Sequence, residues 1–263
     1  MSTKVHDFPS AEQAARQLAQ IIAADLQAAL ETSERALLLV SGGRSPATLF
    51  HALSAQAVTW RRIDISLADE RSVAPDAEAA NARLVQATLM SGPARQARWH
   101  PLMPPEVLAA AGDAWQAAER AAKLANINPV LQQPAVIVLG LGTDGHTASL
   151  FPDAPQWPDA AISQARYVCL QPAEAPHARV SLSLQALRHQ KHCYLWAVGT
   201  EKMATLKRLQ QLPEVKQLQQ PQQGRQNAQP SEEAKRSLLQ AGPVACLMAD
   251  PASQLEIFCS NVE

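Results

Sequence analysis

His146 is the only histidine inside a glycine-rich loop, and Asp144 stands two residues before it in Gly140-Leu141-Gly142-Thr143-Asp144-Gly145-His146. An imidazole with an ordinary pKa of about 6.5 accepts and returns a proton near neutral pH. A carboxylate on the same turn can orient the ring and fix its tautomer. The pair therefore suits a general base with its orienting acid; the plainer alternative is a loop histidine that caps a turn. A second loop, Ser41-Gly42-Gly43-Arg44, suits an anion. Gly42 and Gly43 lack a Cβ, so backbone N–H groups can close on a phosphate, and the helix start that follows adds its positive dipole end. The same residues also fit an ordinary strand-to-helix turn. The loop is neither GxGxxG nor a Walker A sequence, which argues against dinucleotide and ATP binding.

Other polar residues stand at comparable places. Arg71, Arg179 and Lys202 are candidate anion ligands, although each alone is also an ordinary surface charge. Asp69 and Glu70 are candidate acids or bases, although an aspartate at a strand end often only caps backbone groups. His189 and His192 are three residues apart and Cys193 follows directly, but no carboxylate accompanies them, so no metal site is expected.

The elements that must carry these residues follow from periodicity. Ser10 and Gln13 read as a capping box, and apolar residues from Ala14 to Leu30 then recur at helical spacing. Ala36–Val40 and Ala135–Leu139 are short unbroken apolar runs, as in parallel strands covered on both faces. Further strands are expected at 63–67, ending at Asp69-Glu70-Arg71, and at 99–102, 167–170, 180–184, 193–198 and 255–259. Helices are expected from Pro46 with Ser45 as cap, at 81–90, at 110–126, after Gly199 and at 243–248. Strands alternating with helices predict an α/β fold, a Rossmann-like three-layer α/β/α arrangement with a mostly parallel sheet. With no second apolar core in the pattern, residues 1–263 read as one domain. In such sheets ligands bind outside the carboxyl ends of the strands. The SGG, DER, TDGH and GTEK clusters all fall at expected strand ends, which places one site on one rim.

The 263 residues carry 23 Lys+Arg against 24 Asp+Glu, a formal net charge of −1, so neither nucleic acid nor an anionic membrane is an expected partner. Hydrophobic residues at 47% and charged residues at 18% are a globular composition. No apolar run approaches the roughly 20 residues of a membrane span, and MSTKVHDFPS lacks the apolar core of a signal peptide. Cys169, Cys193, Cys246 and Cys259 form no CxxC and mostly sit in apolar stretches, as reduced thiols of a cytoplasmic protein would. Nine glutamines between Gln210 and Gln229 read as a solvated surface excursion that joins two helices.

The motifs SGGRSP (41–46), DERSV (69–73), GLGTDGHTASLFP (140–152), APHARVSL (175–182) and VGTEK (198–202) span most of the chain. In that order they resemble the 6-phosphogluconolactonases of the pentose phosphate pathway, in the superfamily that includes glucosamine-6-phosphate deaminase. The resemblance implies hydrolysis of 6-phospho-D-glucono-1,5-lactone to 6-phosphogluconate without a cofactor, in a cytoplasmic monomer or homodimer. It implies His146 as the base that activates water, Asp144 beside it, and Arg71 steadying the reacting end. The implied substrate- and phosphate-binding set is Ser41, Gly42, Gly43, Arg44, Asp69, Glu70, Asn81, Gly142, Arg179 and Lys202. Gly42, Gly43, Arg179 and Lys202 are its phosphate-holding members.

Three features depart from the family pattern: Arg44 where a small residue is usual, Ala80 where Ser precedes Asn, and the glutamine-rich stretch. The deaminase pattern has a glutamate five residues past the loop histidine. Phe151 stands there instead, which argues against a deaminase/isomerase. A non-catalytic phosphosugar sensor would need an output module, and no spare length encodes one.

Overall fold

The computed structural model describes residues 3–43, 45–219 and 231–262. Along the chain run β1 (Lys4–Phe8), α1 (Ala11–Thr32), β2 (Ala36–Val40), α2 (Ala47–Ser54), β3 (Ile63–Leu67), β4 (Asp69–Arg71) and α3 (Asn81–Thr88). Next come β5 (Arg98–Trp99), α4 (Pro105–Ala109), α5 (Ala114–Ile127), β6 (Pro134–Gly140), α6 (Trp157–Ile162), β7 (Tyr167–Leu170) and β8 (Arg179–Leu182). The chain continues with α7 (Leu184–Arg188), β9 (Cys193–Val198), α8 (Thr200–Gln210), α9 (Pro213–Gln219), α10 (Glu232–Ala241), α11 (Pro243–Met248) and β10 (Leu255–Ser260).

Seven strands form one sheet in the order β1-β10-β9-β6-β2-β3-β5, and every neighbouring pair is parallel. Every residue of β2 and β9 is buried, as an apolar strand covered on both faces must be. Helix α1 turns Ala14, Leu18, Ile22, Leu26 and Leu30 into the core, and Ser10 caps it by accepting the Gln13 N–H. The buried apolar side chains make one continuous cluster. The order of the sheet reverses between β2 and β6. From β2 the chain proceeds to β3 on one side, whereas β6 leads to β9 on the other. That reversal opens a crevice at the carboxyl ends of these two strands.

Several local expectations change. Asp69-Glu70-Arg71 is not the end of a parallel strand but a strand itself. With β8 and β7 it forms a separate three-stranded antiparallel sheet, in which Arg71 faces Arg179 in register. Ala68 couples the sheets, donating its N–H to Val40 and accepting one from Leu182. β1, which the apolar pattern did not reveal, lies at the edge beside β10. The helix expected over 110–126 breaks at Gly112-Asp113, where Asp113 caps α5 through the Gln116 N–H at 2.8 Å. Ser183 likewise ends β8 early by capping α7. Pro46, not Ser45, holds the cap position of α2. The first part of the glutamine-rich stretch is the helix α9, whose Val215 is fully buried, so it is not wholly a solvated excursion; residues 220–229 lie outside the described residues.

Candidate active site

The loop after β6 is folded back on itself by its own polar groups. Gly142 donates its N–H to the His146 carbonyl at 2.9 Å, and Gly145 donates to Gly142 at 3.1 Å. Thr147 Oγ1 donates to the Gly140 carbonyl at 2.8 Å, and Thr205 of α8 donates to the Thr143 carbonyl at 2.9 Å. Asp144 Oδ1 accepts both the His146 backbone N–H at 3.1 Å and the ring Nδ1–H at 2.6 Å. Burial works to raise the Asp144 pKa, but the hydrogen bond and charge interaction with His146 outweigh it and hold the carboxyl below its ordinary value. An ionised carboxylate only accepts, so the Nδ1 proton is the one it fixes. In the neutral ring Nε2 is then the nitrogen with a lone pair. Position 142 must be glycine for this arrangement: a Cβ there would lie 2.1 Å from His146 Nδ1.

The loop after β2 lies next to it, tied by the Ser41 N–H to the Val138 carbonyl at 2.8 Å. Gly42 packs so closely on Asn81 that an added Cβ would meet its Oδ1 at 2.2 Å. Lys202, in the first turn of α8, hydrogen-bonds Ser45 Oγ. Among the described residues no side chain caps α8, and residues 199–202 at its start line the cavity.

The antiparallel sheet supplies the third wall. Arg71 Nη1 donates to the Ala79 carbonyl and to Asn81 Oδ1, and Arg179, nearly buried, packs its guanidinium 4.9 Å from the Phe151 ring centroid. Phe151 in turn stacks on the His146 ring, with centroids 4.0 Å apart and planes at 27°. Burial and the neighbouring Arg71 both depress the Arg179 pKa. Asp69 Oδ2 accepts Ser149 Oγ–H at 2.6 Å, while its Oδ1 and the buried Ser41 Oγ have no partner among the described residues.

These groups surround one cavity of about 1370 Å³. Its walls include Ser41, Gly42, Gly43, Asp69, Arg71, Asn81, Gly142, His146, Arg179 and Lys202. Two sequence candidates do not line it. Asp144 stands behind His146. Glu70, read as a binding residue, instead points both oxygens at backbone, accepting the N–H groups of Arg71, Asn81 and Ala82 at 2.8–2.9 Å. Burial pushes its pKa up to about 7 against those three hydrogen bonds. It anchors the start of α3 under Arg71. Arg44 lies outside the described residues. The contact that sequence reading missed is the Phe151 stack; no spacing rule links residues 146, 151 and 179. Among the described residues, no three His, Cys, Asp or Glu side chains are grouped to hold a metal, and no helix is long and apolar enough to cross a membrane.

Fold and cavity define a class: an α/β protein with a cavity of small-molecule size at the switch point of a parallel sheet. Residues 9–233 match the family described as glucosamine-6-phosphate isomerases/6-phosphogluconolactonase, and the chain belongs to that family. It is 38% identical over 208 residues to a 6-phosphogluconolactonase of Neisseria meningitidis, covering 78% of this chain and 87% of the relative. It is 40% identical over 201 residues to one of Pseudomonas aeruginosa, covering 75% and 81%. A crystal structure of a 6-phosphogluconolactonase from Shewanella baltica superposes with a TM-score of 0.79 at 32% identity, covering 98% of this chain and 97% of that one.

Proposed function

We propose that this enzyme hydrolyses 6-phospho-D-glucono-1,5-lactone to 6-phosphogluconate, in the oxidative pentose phosphate pathway, with His146 as general base. The observation that carries the reading is the 2.6 Å contact from Asp144 to Nδ1 of His146, which shares a cavity with Arg71, Arg179 and Lys202. His146 Nε2 takes a proton from water as its oxygen bonds to the lactone carbonyl carbon. The tetrahedral intermediate carries an oxyanion, which the Arg71 guanidinium offsets. On collapse the bond from carbon to the ring oxygen breaks, and His146 returns the proton to that oxygen. The Gly42-Gly43 loop, Lys202 and the first turn of α8 hold the phosphate, and Arg179 adds its charge from β8. The unpartnered Asp69 Oδ1 suits a sugar hydroxyl and not the phosphate, because a carboxylate repels an anion.

The family name covers two reactions, and position 151 favours the hydrolysis. A deaminase-type carboxylate at that place is replaced by a ring packed on the base. The test is an assay of purified protein on both substrates, with spontaneous lactone hydrolysis subtracted. Accelerated lactone loss without ammonia release from glucosamine 6-phosphate is the expected result. Ammonia release, or no acceleration on either, overturns the proposal.

A further inference from the structure

Phe151 contributes no group that can react, yet it touches both His146 and Arg179. Its ring is nearly buried, stacks on the imidazole with centroids 4.0 Å apart, and lies 4.9 Å from the Arg179 guanidinium carbon. Asp144 fixes the imidazole at Nδ1 only, which leaves rotation about that contact open. A flat ring stacked on one face removes this freedom, since tilting the imidazole would open a gap or a clash. On the other side of the chain of contacts, Arg179 has only long hydrogen bonds, 3.5 Å to Ser149 Oγ and 3.4 Å to the Pro176 carbonyl, and its Nε is buried without a partner among the described residues. The aromatic face is therefore a principal neighbour of that charge.

The geometry points to Phe151 as a positioning residue that sets the His146 ring plane and couples it to the cation that meets the substrate's charge. The inference rests on the lactonase reading for its kinetic consequence, but the ring arrangement can be measured without activity. Anion contact at Arg179 then bears on the base through one shared ring.

The experiment compares Phe151→Leu and Phe151→Met, which keep apolar bulk without a π face, with Phe151→Tyr, which keeps the ring. Nitrogen NMR of the histidine side chains is recorded on the same samples. In the wild type His146 should hold the Nδ1–H tautomer. In the Leu and Met variants Asp144 should keep the proton at Nδ1 while the His146 ring resonances shift and broaden as the ring samples other planes, and kcat should fall about 10- to 100-fold with KM changed much less. Phe151→Tyr should restore most of both. The kcat losses of Phe151→Leu and Arg179→Ala should also be less than additive when combined, as for groups acting through one contact. Unchanged His146 resonances and kcat in the folded Leu or Met variant overturn the proposal, as does a Tyr variant as poor as Leu. If no variant, wild type included, hydrolyses the lactone, the functional reading fails while the resonances still decide the stack.

Discussion

The loops after β2 and β6 leave neighbouring strands a hydrogen bond apart, carry glycines at close approaches, and are finished in opposite ways. The β6 loop satisfies itself: Asp144 accepts twice from His146, Thr147 closes on Gly140, and Thr205 pins Thr143 from outside. The β2 loop leaves Ser41 Oγ buried without a partner among the described residues and holds Lys202 at its rim through Ser45. A loop that must present one nitrogen at one angle is locked by its own hydrogen bonds. A loop that must close around a ligand keeps polar groups for it. On the roles proposed above, the difference separates chemistry from grip within a single cavity.

Removing the base should produce the largest effect. His146→Ala is expected to cut kcat by about 10²–10⁴-fold, on 6-phosphogluconolactone and on unphosphorylated glucono-1,5-lactone alike. Steady-state rates on both, corrected for spontaneous hydrolysis, check it; a mutant with half the wild-type rate would remove His146 from the mechanism. Removing the grip should discriminate between the substrates. Lys202→Ala is expected to lower kcat/KM on the phosphorylated lactone by roughly 10²-fold, the scale of truncating one partner of a buried charged contact. The poor activity on the unphosphorylated lactone should hardly change. Equal losses on both would show that Lys202 does not read the phosphate, and the division between the loops would disappear.

The smallest effect is a control at the other end of the strands. Asp64 of β3 receives two hydrogen bonds from Arg35, at 2.7 and 3.0 Å, and lies 2.8 Å from His100 Nε2. Burial works to raise its pKa, but these partners outweigh burial and hold the carboxyl below its ordinary value. A depressed folded-state pKa gives stability that is present above the unfolded value of about 3.9 and is lost as pH falls through the lower folded value. Asp64→Asn should therefore cost about 1–3 kcal/mol at pH 7, and the gap to wild type should begin to narrow as pH falls below about 4. Denaturant unfolding at pH 7 and pH 3 measures it, and kcat of the folded variant should match wild type. A gap as wide at pH 3 as at pH 7 would show packing, not charge, at that end.

Much of this was legible because buried parallel strands are written as unbroken apolar runs, and their ends announce themselves. β2, β6 and β9 were readable for that reason, as was the Asp144/His146 pair, whose contact spans two residues. β1 was not, because Lys4–Phe8 has neither an unbroken apolar run nor a clean alternation: His6 and Asp7 are both polar and Val5 is exposed at the sheet edge. The antiparallel sheet was hidden by the three-residue length of β4 and by pairing to a segment more than a hundred residues away. Glu70 was misplaced because sequence shows a carboxylate beside a site but not which way it faces. Phe151 registered only as a missing carboxylate, since stacking depends on where β8 brings Arg179.

The reversal of sheet order between β2 and β6 has an evolutionary reading. On the proposed roles, grip and reaction hang from separate strands whose spacing is set by backbone hydrogen bonds, which no side-chain replacement alters. A lineage can therefore exchange the reactive equipment of one loop, position 151 included, while inheriting the phosphate handle intact. On that view one family name spanning a hydrolysis and an isomerisation is what this wiring makes cheap.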